Sequence, residues 1–284
     1  MNEIAIDLPR EAYIPREKIQ GAVKLWIDKT VSARAVKLEI LGTEKTHIER
    51  RSNDDSHVYR EINYILRDRI ILHSPQYDDD MQIEPGNYVF EFDFMMPESA
   101  PPSYRGSQVD IVYELNARVD VPWWFDIVRR KPLYVFRSRE PLDYLQEPVQ
   151  FQSSNYYDTN PRKPGFMAEI SKTGFLTGEV IEGSIALKNM HASNIRKIYV
   201  TLLGIEYAEA SRYSESTTQF SGRIEIPVDD MYEGAPKLFN ISVPRNCPPS
   251  YESRYSNFRW GLEIGLDIPL GFDVKALHPI EILH

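Results

Sequence analysis

From Val109 to Val121 the chain alternates with a period of two. Val109, Ile111, Tyr113, Leu115, Ala117, Val119 and Val121 are separated by mostly polar residues. Phe258, Trp260, Leu262, Ile264, Leu266 and Ile268 repeat the pattern, as do Ile19, Gly21, Val23, Leu25 and Ile27. Such alternation puts one set of side chains on a buried face and the other in water. It predicts antiparallel strands, each packed against a partner sheet. No stretch of helix length keeps a 3.6-residue apolar period. Turn chemistry such as Glu84-Pro85-Gly86-Asn87 punctuates the strands.

The pattern is written twice. Tyr13-Ile14-Pro15-Arg16-Glu17-Lys18-Ile19-Gln20-Gly21 resembles Phe175-Leu176-Thr177-Gly178-Glu179-Val180-Ile181-Glu182-Gly183, displaced by 175 − 13 = 162 residues. The same displacement pairs Val36, Leu38 and Ile40 with Ile198, Val200 and Leu202, then Gly42 with Gly204 and Glu44 with Glu206. Further on, Pro101-Pro102-Ser103-Tyr104 matches Pro248-Pro249-Ser250-Tyr251, displaced by 248 − 101 = 147 residues. That displacement holds through Tyr113 and Trp260, Asp120 and Asp267, and Phe125-Asp126 and Phe272-Asp273. The first copy therefore carries 162 − 147 = 15 extra residues, placed between residues 45 and 90, where loop chemistry is evident. A change of loop length between matched strands is what two diverged copies of one fold show. The expected architecture is all-β: two tandem antiparallel immunoglobulin-like sandwiches of about seven or eight strands each. They occupy residues 1–140 and 164–284, with a linker at 141–163 rich in Pro, Gln, Ser, Asn and Tyr. Val149, Phe151 and Tyr156 are strand formers, so the linker can also supply an edge strand.

Composition narrows the function classes. At 284 residues, 42% hydrophobic and 26% charged, the chain is long enough for two self-sufficient cores. A net charge of -9 without a basic stripe argues against nucleic acid and against whole-surface affinity for anionic membranes. Arg50-Arg51 and Arg129-Arg130-Lys131 are the short basic runs. One cysteine, Cys247, excludes an internal disulfide and fits a reducing, cytoplasmic setting. Met1-Asn2-Glu3-Ile4 has no signal-peptide character, and no run approaches the ~18 apolar residues of an integral membrane segment.

Four motifs, in this order and spacing, resemble the arrestin family. They are Tyr13-x-Pro15-x-Glu17-x-Ile19-x-Gly21; a strand ending Leu41-Gly42-x-Glu44; Gly86-x-Tyr88-x-Phe90-x-Phe92; and Pro101-Pro102-Ser103-Tyr104 followed by Ile111-x-Tyr113-x-Leu115. The resemblance covers nearly the whole chain, as an N-like and a C-like arrestin domain. It implies two joined β-sandwiches serving as a cytoplasmic adaptor for protein partners, cytoplasmic segments of membrane proteins among them. With no long tail after Ile282-Leu283-His284, the chain looks like a minimal or prokaryotic member, akin to sporulation-control proteins or a retromer subunit. Receptor-type arrestins read phosphates with adjacent lysines on the first strand. Here Glu3-Ile4-Ala5-Ile6-Asp7-Leu8 carries acid, so that route is not implied. The loop after Leu41-Gly42 corresponds to a partner-sensing loop of arrestins, which makes Arg50 and Arg51 candidate partner-binding residues. Ser211 to Ser216 is its counterpart.

The remaining candidates read mostly as structure. Pro-Pro-x-Tyr is a ligand for WW domains, but both copies stand directly before a core strand, where proline fixes the path and tyrosine packs. Asp120 and Asp267, and Asp126 and Asp273, recur in both copies and are expected to cap turns. Asp78-Asp79-Asp80 lacks the ligand spacing of a calcium loop. The six histidines form no local metal pair, and no nucleophile elbow, phosphate loop or dinucleotide fingerprint is present. No catalytic residue, cofactor site or metal site is therefore expected. Trp123-Trp124-Phe125 corresponds in the alignment to Leu270-Gly271-Phe272 of the second copy. Phe125 is expected to pack in both copies. Trp123 and Trp124 either pack between the domains or under the linker, the reading that weighs more, or form an exposed anchor for a partner or a membrane surface. The expectation is a non-catalytic adaptor that binds protein through sheet faces, hairpin loops and strand edges. The alternative is a carbohydrate- or ligand-binding accessory sandwich.

Overall fold

A computed structural model of the chain describes residues 2–51, 55–75, 80–137, 143–269 and 274–283. Asp78-Asp79, Leu270-Gly271-Phe272-Asp273, His284 and the start of the expected linker lie outside the described residues. The chain gathers into two units. The first runs to Arg137 and also takes in Glu209–Tyr213 and Ser253–Tyr255; the second holds the rest.

The first unit contains β1 (Glu3–Asp7), β2 (Ala12–Tyr13), β3 (Lys18–Ile27), β4 (Val31–Ala33), β5 (Ala35–Arg51), β6 (Ser56–His73), β7 (Met81–Ile83), β8 (Gly86–Met95), β9 (Tyr104–Arg105), β10 (Val109–Asp120) and β11 (Ile127–Val135). A small sheet, β1-β3-β8, faces a larger one, β2-β11-β10-β5-β6, with β9 beside β10 and β4 paired to β7. The second unit contains β12 (Val149–Gln152), β13 (Gly165–Ile170), β14 (Gly174–Leu176), β15 (Val180–Lys188), β16 (Lys197–Ala210), β17 (Tyr213–Pro227), β18 (Lys237–Ser242), β19 (Tyr251–Glu252), β20 (Ser256–Asp267) and β21 (Val274–Leu283). Its sheets are β12-β13-β15-β18 and β14-β21-β20-β16-β17, with β19 beside β20. Leaving aside strands of two or three residues, seven remain in the first unit and eight in the second, among the described residues.

The tandem repeat is borne out strand by strand. β10 and β20 differ by 147 at both ends (267 − 120 and 256 − 109), and β3 and β15 begin 180 − 18 = 162 residues apart. The alternating positions form the cores. Ile19, Val23, Leu25, Val36, Leu38, Ile40, Leu115 and Val119 are sealed from solvent in the first unit. Ile181, Ile185, Ile198, Val200, Leu202, Leu262 and Ile264 are sealed in the second. Each such side chain contributes about 1.5–3 kcal/mol relative to exposure.

One close approach recurs and explains a glycine in the motif. A Cβ on Gly21 would stand 2.6 Å from the Asp7 carbonyl oxygen and 2.7 Å from the Phe92 ring. On Gly183 it would stand 2.6 Å from the Glu169 carbonyl oxygen and 2.5 Å from the Phe239 ring. In each unit an aromatic ring of one strand (β8 or β18) lies over a gap in its neighbour (β3 or β15), and only hydrogen fits there.

The extra residues of the first copy are not one loop. Hairpin β5–β6, Ala35–His73, spans 39 residues against 31 for Lys197–Pro227. The rest of the excess lies between His73 and Met95, where β7 pairs with β4. Much of the region with loop chemistry is therefore strand. A register shift opposite Gly42 and Thr43 interrupts the alternation of β6, which carries Val58, Ile62, Tyr64 and Ile71 on its solvent side.

The expected linker is largely folded. Asp143–Gln146 forms a 3₁₀ turn, and Val149–Gln152 pairs antiparallel with β13 as an edge strand. Phe151 stacks on His278 of β21 with ring centroids 4.9 Å apart. The Lys188 ammonium donates to the carbonyls of Tyr156 (2.6 Å) and Asp158 (3.2 Å), which ties the following loop to β15.

Candidate functional site

The four residues expected to bind a partner fall at opposite ends of one sheet. β10 and β5 pair from Asp120–Ala35 to Val109–Thr46. Trp123 and Trp124 follow the Asp120 end, and Arg50 and Arg51 lie beyond the other. The seventeen residues of β5 put about 50 Å between its ends at ~3.3 Å per residue. The structure does not bring the two pairs together.

At the hairpin end the two arginines also part company. Successive side chains of a strand point to opposite faces. Arg50 continues the face of Glu44, Thr46 and Ile48, whereas Arg51 continues that of Lys45, His47 and Glu49. Arg50 lies over the Tyr213 ring at 5.5 Å, with Arg212 over the same ring at 5.2 Å. Tyr59 packs against Tyr213 with centroids 4.4 Å apart. The Tyr59 hydroxyl and the Arg212 guanidinium together hold the Tyr213 phenol below its ordinary value. Arg51 instead pairs with Glu49 at 3.1 Å, and the Ser56 hydroxyl donates to Glu49 at 2.6 Å. These bonds, Ser56 first, hold the Glu49 carboxyl below the usual range.

At the other end the chain turns between β10 and β11. The Val121 amide donates to Asp126 Oδ1 at 2.9 Å, and Arg118 Nε stands 3.3 Å from Asp126 Oδ2. The Arg34 amide donates to the Asp120 carbonyl at 2.8 Å. The Asp120 carboxylate meets Lys37 at 2.8 Å and Arg34 at 2.6 Å. Its pKa is lowered, chiefly by the Lys37 hydrogen bond. The aspartates hold the turn, and the rings leave it. Trp123 is 100% exposed, Trp124 78% and Phe125 85%. The packing expected for Phe125 is thus corrected. Asp126 closes the turn early, and Phe125 meets Trp124 edge-on at 6.2 Å instead of entering the core. Trp123 also carries φ 60, a left-handed conformation that costs a bulky L-residue energy. Phe272 lies outside the described residues.

The other recurrent motifs are parts of the fold. The Ser103 amide donates to the Val135 carbonyl at 2.8 Å, and the Val135 amide donates back to Ser103 Oγ at 2.9 Å. Ser250 and Ile282 exchange the same two bonds at 2.8 and 2.9 Å. The preceding proline carbonyls each accept from a core aromatic: Tyr113 Oη to Pro101 at 2.8 Å, and Trp260 Nε1 to Pro248 at 3.0 Å. Pro101, Pro102, Pro249, Ser250, Tyr104 and Tyr251 are buried. Pro-Pro-Ser-Tyr is a clamp between the last strand and the core, not a free polyproline segment.

Two features escaped the sequence reading. Glu44 and Glu206, matched positions, are completely buried carboxylates. Glu44 accepts from Asn63 Nδ2 and the Tyr255 amide, both at 3.1 Å, and Glu206 accepts from Gln219 Nε2 at 3.0 Å. Their recurrence in a Leu-Gly-x-Glu setting was the available signal. The second feature is a solvent-open groove in each unit, of about 590 Å³ beside Gly21 and Phe92 and about 420 Å³ beside Gly183 and Phe239. Asp7, Gln20 and Asp93 line the first where Glu169, Glu182 and Asn240 line the second. Both grooves lie beside a glycine and the ring over it, at matched positions of the two units.

Residues 2–140 match the family described as arrestin (or S-antigen), N-terminal domain. The chain is 22% identical over 219 residues to arrestin domain-containing protein 1 of Rattus norvegicus, which covers 74% of this chain and 48% of that protein. It is 20% identical over 219 residues to the Homo sapiens protein of the same name, with the same coverage. With arrestin domain-containing protein 17 of Caenorhabditis elegans it shares 25% over 204 residues, 66% of this chain and 47% of that protein. The chain thus spans about half the length of the curated relatives it matches. Joined to the duplicated sandwich and its matched register, these likenesses mark residues 2–140 as an arrestin N-terminal domain and the chain as arrestin-like.

Proposed function

We propose that the chain is a non-catalytic, cytoplasmic adaptor whose first unit takes up an extended segment of a protein partner by strand addition. One observation carries this reading. In the second unit β12 covers the outer edge of β13, whereas β1, the counterpart of β13, has β3 as its one hydrogen-bonded neighbour among the described residues. An exposed row of main-chain amides and carbonyls is a template for another strand. The family resemblance supports protein partners, and cytoplasmic segments of membrane proteins supply extended sequence of the right kind. The hairpin end at Arg50 and Arg51, on the β5–β6 side of the larger sheet, would offer a separate set of side-chain contacts. A sugar-binding reading finds less support, because the exposed rings at Trp123 and Trp124 crown a convex turn and do not floor a groove.

A photo-crosslinking residue at Ala5, which lies on β1 at this edge, tests the reading. In native cytosol, mass spectrometry should recover partner peptides joined at position 5. A control with the residue at the exposed Glu252 should not give them. Equal recovery at both positions, or none at position 5, would overturn strand addition.

A further inference from the structure

The β10–β11 turn pairs exposed aromatic rings with unanswered positive charge. Trp123 and Trp124 project from its tip, and Phe125 stands beside them. Arg129 and Arg130 follow on the strand leaving the turn. Both are exposed, and neither guanidinium has an ion pair or hydrogen bond among the described residues. The acids at the base of the turn do not cancel them, since Asp120 is held by Lys37 and Arg34, and Asp126 by Arg118. A chain of net charge -9 thus presents locally basic character where it also presents its most exposed rings.

We propose that this turn is a membrane-interface anchor, in which Trp123 and Trp124 enter the headgroup region of an anionic bilayer while Arg129 and Arg130 meet its surface charge. Indole rings favour that region because one edge is apolar and the N–H is polar. The arginines stand about 10–15 Å behind the tip at strand spacing. That distance is close to a Debye length, so they still feel the surface potential. Charge complementarity selects the occupant. The acidic remainder of the molecule is repelled by an anionic surface, so approach by this end is favoured. A protein hot spot, by contrast, is a ring seated within a surrounding patch that excludes water, and here the rings stand clear of the surface. Local physics does not ask for tryptophan at position 123. A left-handed residue is ordinarily Gly or Asn, and a fully exposed indole gains nothing from the core. The second copy writes Leu270-Gly271-Phe272 at the same place. A single turn gives weak, reversible attachment that needs a second contact for stable residence.

The full chain supplies its own reporter. Of its four tryptophans, Trp260 is 2% exposed and Trp26 38%, so the emission change on insertion comes mainly from Trp123 and Trp124. Vesicles of phosphatidylcholine mixed with phosphatidylserine should shift the emission to the blue and carry the protein down on sedimentation; phosphatidylcholine alone should do so more weakly. Brominated lipid should quench the unmodified chain, a readout that needs no substitution. Trp123→Ser with Trp124→Ser should weaken binding on the order of tenfold or more and leave thermal unfolding as in the parent. Arg129→Gln with Arg130→Gln should lower affinity for the anionic vesicles about 25-fold, near fivefold for each charge. No sedimentation with anionic vesicles at low salt would overturn the proposal. So would undiminished binding by the tryptophan variant, or loss of a crosslinked protein on that variant without any vesicle binding. The vesicle assay contains no protein partner, so its failure leaves strand addition at β1 standing.

Discussion

At the scale of the residue, the chain's most recognisable motif works through a serine hydroxyl. Ser250 Oγ accepts the Ile282 amide in a buried setting. Ser250→Ala should leave that N–H unpaired and cost about 1–3 kcal/mol, seen as a lower midpoint in urea unfolding. Ser103→Ala should cost a similar amount, since it breaks the matching bond to Val135. The lone thiol gives a second test. Cys247 is buried, donates to the Pro244 carbonyl at 3.2 Å, and has its pKa pushed up by burial to about 11. It should react with a thiol reagent at neutral pH far more slowly in the native chain than in denaturant. The clamp was half legible in the sequence. Recurrence marked Pro-Pro-Ser-Tyr as structural, but which atoms bond depends on contacts some 32 residues away. Phe125 was misread because its recurrence as Phe272 marks a matched position, not a buried one. The Asp126 bond to the Val121 amide closes the turn in a way that leaves the ring outside the core.

At the scale of the element, alternation found β3, β10 and β20 because each buries one face and wets the other. It missed the reach of β6, where Val58, Ile62 and Ile71 lie on the solvent side, and it missed strands too short to show any period. The edge strand β12 was open in the sequence as one of two readings of the linker. Its docking is expected to be pH-sensitive. Burial lowers the His278 pKa below its ordinary value of 6.5. The unfolded chain therefore binds a proton there more readily than the folded one. Stability from this site is complete above pH ~6.5 and declines as pH falls towards the lowered folded value. His278→Gln should flatten this part of the stability–pH curve, and hydrogen exchange of Val149–Gln152 should quicken on acidification in the parent but not in the variant. An unchanged slope would show that another group governs it.

At the scale of the whole molecule, two copies in fixed register do not make two independent pieces of chain. The first unit includes Glu209–Tyr213 and Ser253–Tyr255. Thr46 Oγ1 donates to the Glu209 carbonyl at 2.5 Å, and the Tyr255 amide donates to the buried Glu44. A fragment ending at Arg137 would leave Glu44 short of a donor. It should unfold several degrees below the first unit of the intact chain, at a few degrees per kcal/mol for a domain of this size. The repeat itself was plain in the sequence, because core positions must keep their spacing. The membership of those short stretches was not, since it depends on where a hairpin tip comes to rest.

Trp123 has a consequence that reverses the usual sign of mutation. Most substitutions weaken a protein, yet at φ 60 a glycine fits the backbone better than an indole that touches little. Trp123→Gly should therefore raise the unfolding temperature, by an amount near 1 kcal/mol of relieved conformational cost, while removing the ring from the surface. A gain in robustness matched by a loss of attachment would mark this position as one where selection has exchanged durability for contact.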